Sequence, residues 1–353
     1  MRSYVYIFRN GAYGGCLGDK RFIPGYYHKW EVFMLKAKKI FTNLYAVIFF
    51  ALLCNALWGS AFSCVKLGYE WFDVVSIGDK LLFAGLRFML AGILVILFYS
   101  AANKRLIYPV GKAEWGRVLS LCMFQTVLQY LFFYIGLSNT SGVKASIVEG
   151  SNVFVAILIA CLIPVRVKTD GGVSYVRQEK MSARILIGCI LGFIGVVIVN
   201  VAPGGFDSAF RMDGEGFIFI STIAYGVATV FIKKYSKESD TVMLSGWQFF
   251  VGGIILMIIG ILSGGNIGDV QTRGCFMLLY LAMVSAVAYT LWGVLLKYNP
   301  IARIAVFGFS NPVFGVMLSA ILLKEGSMLD FKCIIALAFV CVGIYIVNRR
   351  KEG

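Results

Sequence analysis

Ten stretches of continuous apolar sequence dominate this chain, near residues 44–66, 80–99, 115–136, 142–163, 183–202, 215–233, 241–262, 274–297, 301–323 and 331–348. Each comes close to the roughly 20 residues a helix needs to cross the hydrocarbon core of a bilayer. No water is present there to satisfy an open backbone N–H or C=O, so a spanning segment must be a helix or part of a closed barrel. Segments of about ten residues with alternating polarity, the mark of a barrel, are absent. The sequence therefore predicts an all-α polytopic membrane protein with ten transmembrane helices. Short connections with turn signals, such as Pro109-Val110-Gly111, Asp170-Gly171-Gly172, Pro203-Gly204-Gly205 and Ser263-Gly264-Gly265, join the runs and leave no room for a soluble domain.

Charge is scarce and unevenly placed. Only 14% of residues are charged, against about 25% in soluble domains, yet the net charge is +15. Counted over alternate loops and tails, twenty Lys and Arg fall on one side and seven on the other. The excess marks the cytoplasmic side, so both termini are expected there, in the plasma (inner) membrane of a bacterium. Basic residues spread over several loops make no continuous face, which excludes nucleic acid as a partner. The single histidine, His28, lies outside every apolar run, and no CxxC pair exists among the nine cysteines. Neither a metal centre nor any other cofactor is expected, and the cysteines read as small packing residues. Residues 1–33 lack helical period and form no signal peptide. Met34, followed by Leu35-Lys36-Ala37-Lys38-Lys39, resembles a natural start, so residues 1–33 are expected to be an extension outside the functional unit.

The chain also repeats itself. Asp79, Gly85, Phe88 and Gly92 align with Asp240, Gly246, Phe249 and Gly253 at an offset of 161. Tyr130, Lys144, Ser151 and Asn152 align with Tyr289, Arg303, Ser310 and Asn311 at 159, and Gly195–Asn200 aligns with Gly343–Asn348 at 148. Gly59 and Lys66 align with Gly226 and Lys233 at 167. The predicted organisation is two five-helix repeats, residues 34–202 and 203–353. Because five is odd, the second repeat must enter the membrane from the opposite face, giving an inverted pair. Such pairs offer two similar arrangements, open to one side or to the other, as alternating access requires.

Several segments in order resemble the EamA-type family of the drug/metabolite transporter superfamily over residues 44–348. They are Leu57-Trp58-Gly59-Ser60 with Lys66, Leu86-Arg87-Phe88, Tyr134-Ile135-Gly136-Leu137-Ser138-Asn139-Thr140-Ser141, and Asn311-Pro312-Val313 with Lys324-Glu325. The sequence departs from the family pattern at Ser151-Asn152-Val153 and at Pro164-Val165. The resemblance implies a ten-helix fold and transport of small metabolites, often export.

A charge at the centre of a span costs about 2.5–3.5 kcal/mol on insertion scales, so each one requires a reason. Arg87 and Glu149 fall roughly 10 and 7 Å below the same face at 1.5 Å per residue, close enough in depth to meet, as a structural pair or a functional one. Their repeat equivalents are Gln248 and Gly308, so a pair demanded by the scaffold alone should have recurred. Ser146, Glu149 and Asn152 share a helical face expected to line a central cavity, with Glu149 the candidate carrier of a coupling proton or the counter-ion of a substrate amine. Gln125 and Gln129 form a second polar face, Tyr289 and Trp292 an aromatic one, and Asn311 with Pro312 interrupts its span, either as a simple kink or as part of the site. Single amides such as Gln248 equally fit interhelical hydrogen bonding. The function expected is secondary transport of amino acids or related amphipathic solutes. The alternatives are a polytopic receptor or scaffold, for which inversion has no use, and an intramembrane enzyme, which the lack of His and paired acids disfavours.

Overall fold

The computed structural model describes residues 39–169, 172–177, 181–200, 210–236, 238–267, 272–299, 304, 306–325 and 331–348. The expected extension 1–33, the boundary near 202–203 with its Pro203-Gly204-Gly205 turn, Arg303 and the basic tail from 349 lie outside the described residues. The helices follow the apolar runs: α1 (Leu44–Trp71), α2 (Ile77–Ala102), α3 (Gly111–Ser138) and α4 (Gly142–Leu162). After them come α5 (Ala183–Asn200), α6 (Met212–Tyr235), α7 (Thr241–Leu262), α8 (Thr272–Tyr298), α9 (Ser310–Leu322) and α10 (Phe331–Asn348). Seven of these, α1 to α4 and α6 to α8, are long and apolar enough to cross a membrane; α5, α9 and α10 contain shorter apolar stretches.

Polar side chains set several helix starts by accepting from otherwise open N–H groups. Asn43 accepts from Tyr45 and Ala46 at the start of α1. Ser76 and Asp79 form a reciprocal capping box on α2, Ser141 caps α4, and Asp240 caps α7. Three helices are irregular, α6 opening with a π-type turn over Met212–Gly216. In α3, Cys122–Leu128 is a widened π-type turn, and α4 breaks at Gly150–Ser151 before resuming at Asn152.

The stretch between α4 and α5, expected as a loop in an all-α chain, is instead a two-stranded antiparallel hairpin. Strand β1 (Pro164–Thr169) pairs with β2 (Gly172–Arg177), Pro164 opposite Arg177 and Thr169 opposite Gly172. Alternation of Val165 and Val167 with Arg166 and Lys168 gives the period of a strand, and Asp170-Gly171 between two such runs is a strong hairpin signal.

Glycines fix the closest helix contacts. A Cβ at Gly253 on α7 would lie 2.7 Å from the carbonyl oxygen of Gly85 on α2; one at Gly92 would lie 2.8 Å from that of Gly246. Only glycine permits this approach of backbones, and in lipid close packing carries much of the association. As the residue number rises along α2 it falls along α7, so the two helices run antiparallel. The same holds for α5 and α10, where Gly195 meets Ala336 and Gly343 meets Gly188, and for α4 and α9, where Gly142 meets Ser319 and Gly150 meets Pro312. By contrast α1 and α9 run parallel, through Gly59 with Gly315 and Ser63 with Ser319, as do α6 and α4, through Gly226 with Ala156 and Val230 with Ala160.

Candidate functional site

A cavity of about 560 Å³ lies among α1, α2, α3, α4, α6, α8 and the start of α9, well within the range of small-molecule sites. Its aromatic wall comes from Trp58, Phe62, Tyr130, Phe133, Tyr225, Tyr289 and Trp292. Trp58 packs edge-on against both Tyr289 and Trp292, with ring centroids 5.1 Å apart in each case. The hydroxyls of Tyr130 and Tyr289 hydrogen-bond to each other across the cavity. Toward one end the lining reaches Lys233, Ser236, Lys297 and Asn299, at the last turns of α6 and α8.

The opposite end is tied shut by two carboxylates. Glu325, just past α9, accepts from the backbone N–H groups of Gly142 (3.2 Å) and Val143 (3.1 Å) at the start of α4, and pairs with Lys66 at 3.6 Å. A helix N-terminus favours such an anion. Glu215, at the start of α6, accepts from the Thr140 hydroxyl and the Arg211 N–H, with Lys144 at 3.9 Å.

Arg87 and Glu149 both line the cavity, but no ion pair joins them. Arg87 is 1% exposed. Its Nε donates to the Leu281 carbonyl (3.2 Å) and the Ser285 hydroxyl (3.1 Å), its Nη1 donates to the Tyr134 hydroxyl (3.0 Å), and its face lies 5.0 Å from the Phe88 ring centroid. The guanidinium thus ties α2 to α8 and α3. Glu149, 6% exposed, has only distant donors: Asn152 Nδ2 at 3.4 Å and the Ser221 hydroxyl at 3.5 Å. It is the last residue of α4 before the break, where a Cβ on Gly150 would press on Ile147 and Pro312.

Of the other residues singled out from the sequence, Gln129, Asn152, Tyr289, Trp292 and Asn311 line this cavity. Gln125, within the widened turn of α3, lines a small adjoining pocket that shares Tyr225, Tyr289 and Trp292. Three stand elsewhere. Ser146 donates to the Gly142 carbonyl and packs against Gly315. Gln248 accepts from the Thr126 hydroxyl at 2.5 Å, an interhelical bond between α7 and α3. Pro312 packs against the break in α4.

The sequence reading did not select Asn55, Trp58, Tyr130 or Tyr225, all of them on the cavity wall. The signal was in the repeat. At the offsets already given, Trp58 pairs with Tyr225, Phe62 with Thr229, Tyr130 with Tyr289, Phe133 with Trp292, Glu149 with Gly308 and Asn152 with Asn311. Every one of these residues lines the cavity.

Comparison with known proteins yields consistent matches. The EamA-like transporter family matches over residues 45–168 and 212–349. A Synechocystis protein described as an uncharacterized transporter is 24% identical over 314 residues, covering 84% of this chain and 88% of its own. A Salmonella typhimurium protein described as a probable amino-acid metabolite efflux pump is 25% identical over 309 residues, covering 84% and 93%. One crystal structure superposes with a TM-score of 0.58 at 16% identity, over 84% of this chain and 95% of that one, a likeness of fold.

Proposed function

The chain belongs to the EamA-like transporter family, which makes it a multi-pass membrane transporter of small molecules and not an enzyme, and from this we propose that it is a secondary transporter working by alternating access around the central cavity. The cargo is an amphipathic metabolite of about amino-acid size, and the direction is export; the name given to the Salmonella relative supports both. The chain is built as two inverted five-helix repeats, 34–202 and 203–353, in the plasma membrane of a bacterium with both termini cytoplasmic.

The observation that carries this reading is the cavity wall made of repeat-equivalent pairs, from Trp58 with Tyr225 to Asn152 with Asn311. Antiparallel contact between equivalent helices, α2 with α7, α4 with α9 and α5 with α10, supports the inversion. A site between inverted halves can be offered to either side by exchanging their conformations. In the orientation set by the basic loops, the end bearing Lys233 and Lys297 is cytoplasmic and the end closed by Glu325 and Glu215 is external, so this arrangement faces inward.

Glu149 is the coupling residue. A carboxylate at membrane depth with no cationic partner is costly unless a proton or a substrate cation relieves it, and the second repeat has no counterpart, Gly308 standing in its place. Counterflow in proteoliposomes with pooled radiolabelled amino acids, amines and related metabolites, with and without a pH gradient, tests the proposal. Uptake by the native chain, its stimulation by the gradient and at least about a tenfold loss in Glu149→Gln are the expected results. A fully active Glu149→Gln variant overturns the coupling role, and no counterflow of any pooled solute overturns transport.

A further inference from the structure

Equivalent stretches of α3 and α8 are wound differently. Cys122–Leu128 of α3 is a widened π-type turn, whereas residues 281–287 of α8, its counterpart at an offset of 159, are regular helix. Turns of this kind are rare, bend the helix that holds them and concentrate at working parts of proteins. The halves that follow differ as well. Leu296 and Lys297 of α8 line the cavity up to its mouth. Leu137 of α3, the counterpart of Leu296, is fully buried toward the end shut by Glu325. Beside it the Tyr69 hydroxyl on α1 donates to the Tyr134 carbonyl at 2.9 Å, while the counterparts of these two, Ser236 and Gly293, both line the small adjoining pocket. A widened turn thus precedes the closed half, and a regular one the open half.

Two equivalent polar contacts hold these stretches from the other repeat. Arg87 on α2 donates to the Ser285 hydroxyl (3.1 Å) and the Leu281 carbonyl (3.2 Å) of α8. Its counterpart Gln248 on α7 accepts from the hydroxyl of Thr126, the counterpart of Ser285, inside the widened turn. There the likeness ends. Arg87 also donates to the Tyr134 hydroxyl and so holds the second half of α3 in its closed place. Gln248 is fully buried, yet its Nε2 has no partner among the described residues, and the Cys122 carbonyl, counterpart of that of Leu281, is not reached by it. A buried amide donor without an acceptor is costly, so an arrangement that supplies one gains stability. Packing differs at the same level. Ala91 on α2 packs on Ala282 and Ala286 of the regular helix; its counterpart on α7 is Gly252, where a Cβ would lie 2.6 Å from the Cβ and Cγ2 of Thr126. The missing methyl leaves room for the widened turn.

Resting on the transport reading above, we propose that the widened turn of α3 is the joint that opens and closes the Glu325 end. In an inverted pair, an end opens as its helices take the form that their counterparts have at the open end. When the Glu325 end opens, Cys122–Leu128 winds into regular helix, as residues 281–287 are wound now, and Gln248 Nε2 takes the Cys122 carbonyl. The half that follows, Gln129–Ser138, swings away from Tyr69 and Arg87 and carries Gln129, Tyr130 and Phe133 of the cavity wall with it.

Gly252→Ala tests the joint, because it gives α7 the residue that α2 has at the same place: the methyl presses on the widened turn, and Ala91 shows that a regular helix accommodates it. Two readouts are taken on the full chain in nanodiscs. One is hydrogen exchange of Cys122–Leu128, with residues 281–287 as the internal reference; the other is labelling of a cysteine at Ser63 by a membrane-impermeant thiol reagent, with the native cysteines replaced. In the native chain the widened turn is expected to exchange several-fold faster than the reference. In Gly252→Ala its exchange should slow by at least about threefold, and labelling should accelerate by a similar factor. A general loss of fold would instead speed exchange in both stretches, and in that case Tyr134→Phe decides: it removes only the hydroxyl that Arg87 holds and should move both readouts in the same directions. Slower exchange without faster labelling overturns the joint, and so does no change in either. Faster labelling with exchange of the turn unchanged overturns it too but leaves alternating access standing, and the pooled counterflow screen decides transport separately.

Discussion

Arg87 and Glu149 are buried almost equally, yet their surroundings assign them opposite roles. The arginine is held by the Leu281 carbonyl and two hydroxyls from two helices, α8 and α3, so its removal leaves several interior groups unpaired. Arg87→Ala should lower stability in detergent by about 3 kcal/mol, seen as a fall in the melting temperature. Glu149, by contrast, has no close partner to lose, and Glu149→Gln removes the cost of a buried charge while keeping the shape. Its melting temperature should stay level or rise even as transport fails; an equal loss of stability in both variants would remove the distinction. The sequence singled out both charges, because an ionisable group inside an apolar run is conspicuous. It did not reveal that they stay apart. Depth along two helices says nothing of the direction in which a long side chain leaves its helix, and the partners of Arg87 are neutral groups that no charge pattern marks. Trp58 and Tyr130 escaped selection for a related reason: in a chain with 15% aromatic residues, a single ring carries no signal until its repeat equivalent is considered beside it.

Helix boundaries were legible to within about five residues except at the start of α9, expected near 301 and found at Ser310 after a tighter turn over Val306–Phe309, since a bilayer sets the length of an apolar run more strictly than a soluble core does. The expected spans 241–262 and 331–348 coincide with α7 and α10. Interruptions inside elements were harder to read. The widened turn in α3 and the break in α4 leave the apolar run unbroken, so composition does not report them, though each sits beside a cavity-lining polar residue, Gln129 and Glu149. The hairpin after α4 was missed because basic residues alternating with valines were counted for charge and not for period. Connections matter to function at the other end of the molecule, where Glu325 joins the end of α9 to the first turn of α4 and to Lys66 on α1. An anion at a helix N-terminus contributes about 0.3–1 kcal/mol, so Glu325→Ala should raise the population open at that end about two- to fivefold. A cysteine placed at Ser63, which contacts Ser319 beneath this clasp, reports it. Its labelling by a membrane-impermeant thiol reagent, with the native cysteines replaced, should accelerate by that factor, and an unchanged rate would show that the clasp is incidental.

At the scale of the whole molecule, the two ends are built from equivalent contacts that part company in their last turn. Gly59 with Gly315 on α1 and α9 corresponds to Gly226 with Ala156 on α6 and α4, and Ser63 with Ser319 corresponds to Val230 with Ala160; these contacts are present at both ends. One turn further, the sequence equivalents of Lys66 and Glu325 are Lys233 and Arg166, so the positions that hold an ion pair at one end carry two residues of like charge in the other half of the sequence. In the proposed two-state carrier this difference would favour the arrangement closed at the end where Lys66 and Glu325 pair. The equivalence of the two halves is a reading of the sequence; that Lys66 meets Glu325 is not, and the bias depends on it. Arg166 stands in β1 opposite Tyr175, where a change of side chain leaves the backbone pairing intact. Arg166→Glu would place a carboxylate at the position equivalent to Glu325 in the proposed repeat, replacing two residues of like charge by two of opposite charge. An exposed ion pair contributes about 0.2–1 kcal/mol, so the population closed at the Lys233 end and open at the Glu325 end should rise by up to about fivefold. Labelling of the same cysteine at Ser63 should accelerate accordingly, Arg166→Ala should give a smaller gain, and high salt should reduce the difference between the two. If Arg166→Glu leaves the labelling rate where the native residue puts it, the charges at the two ends do not set the balance between the inward-facing and outward-facing arrangements.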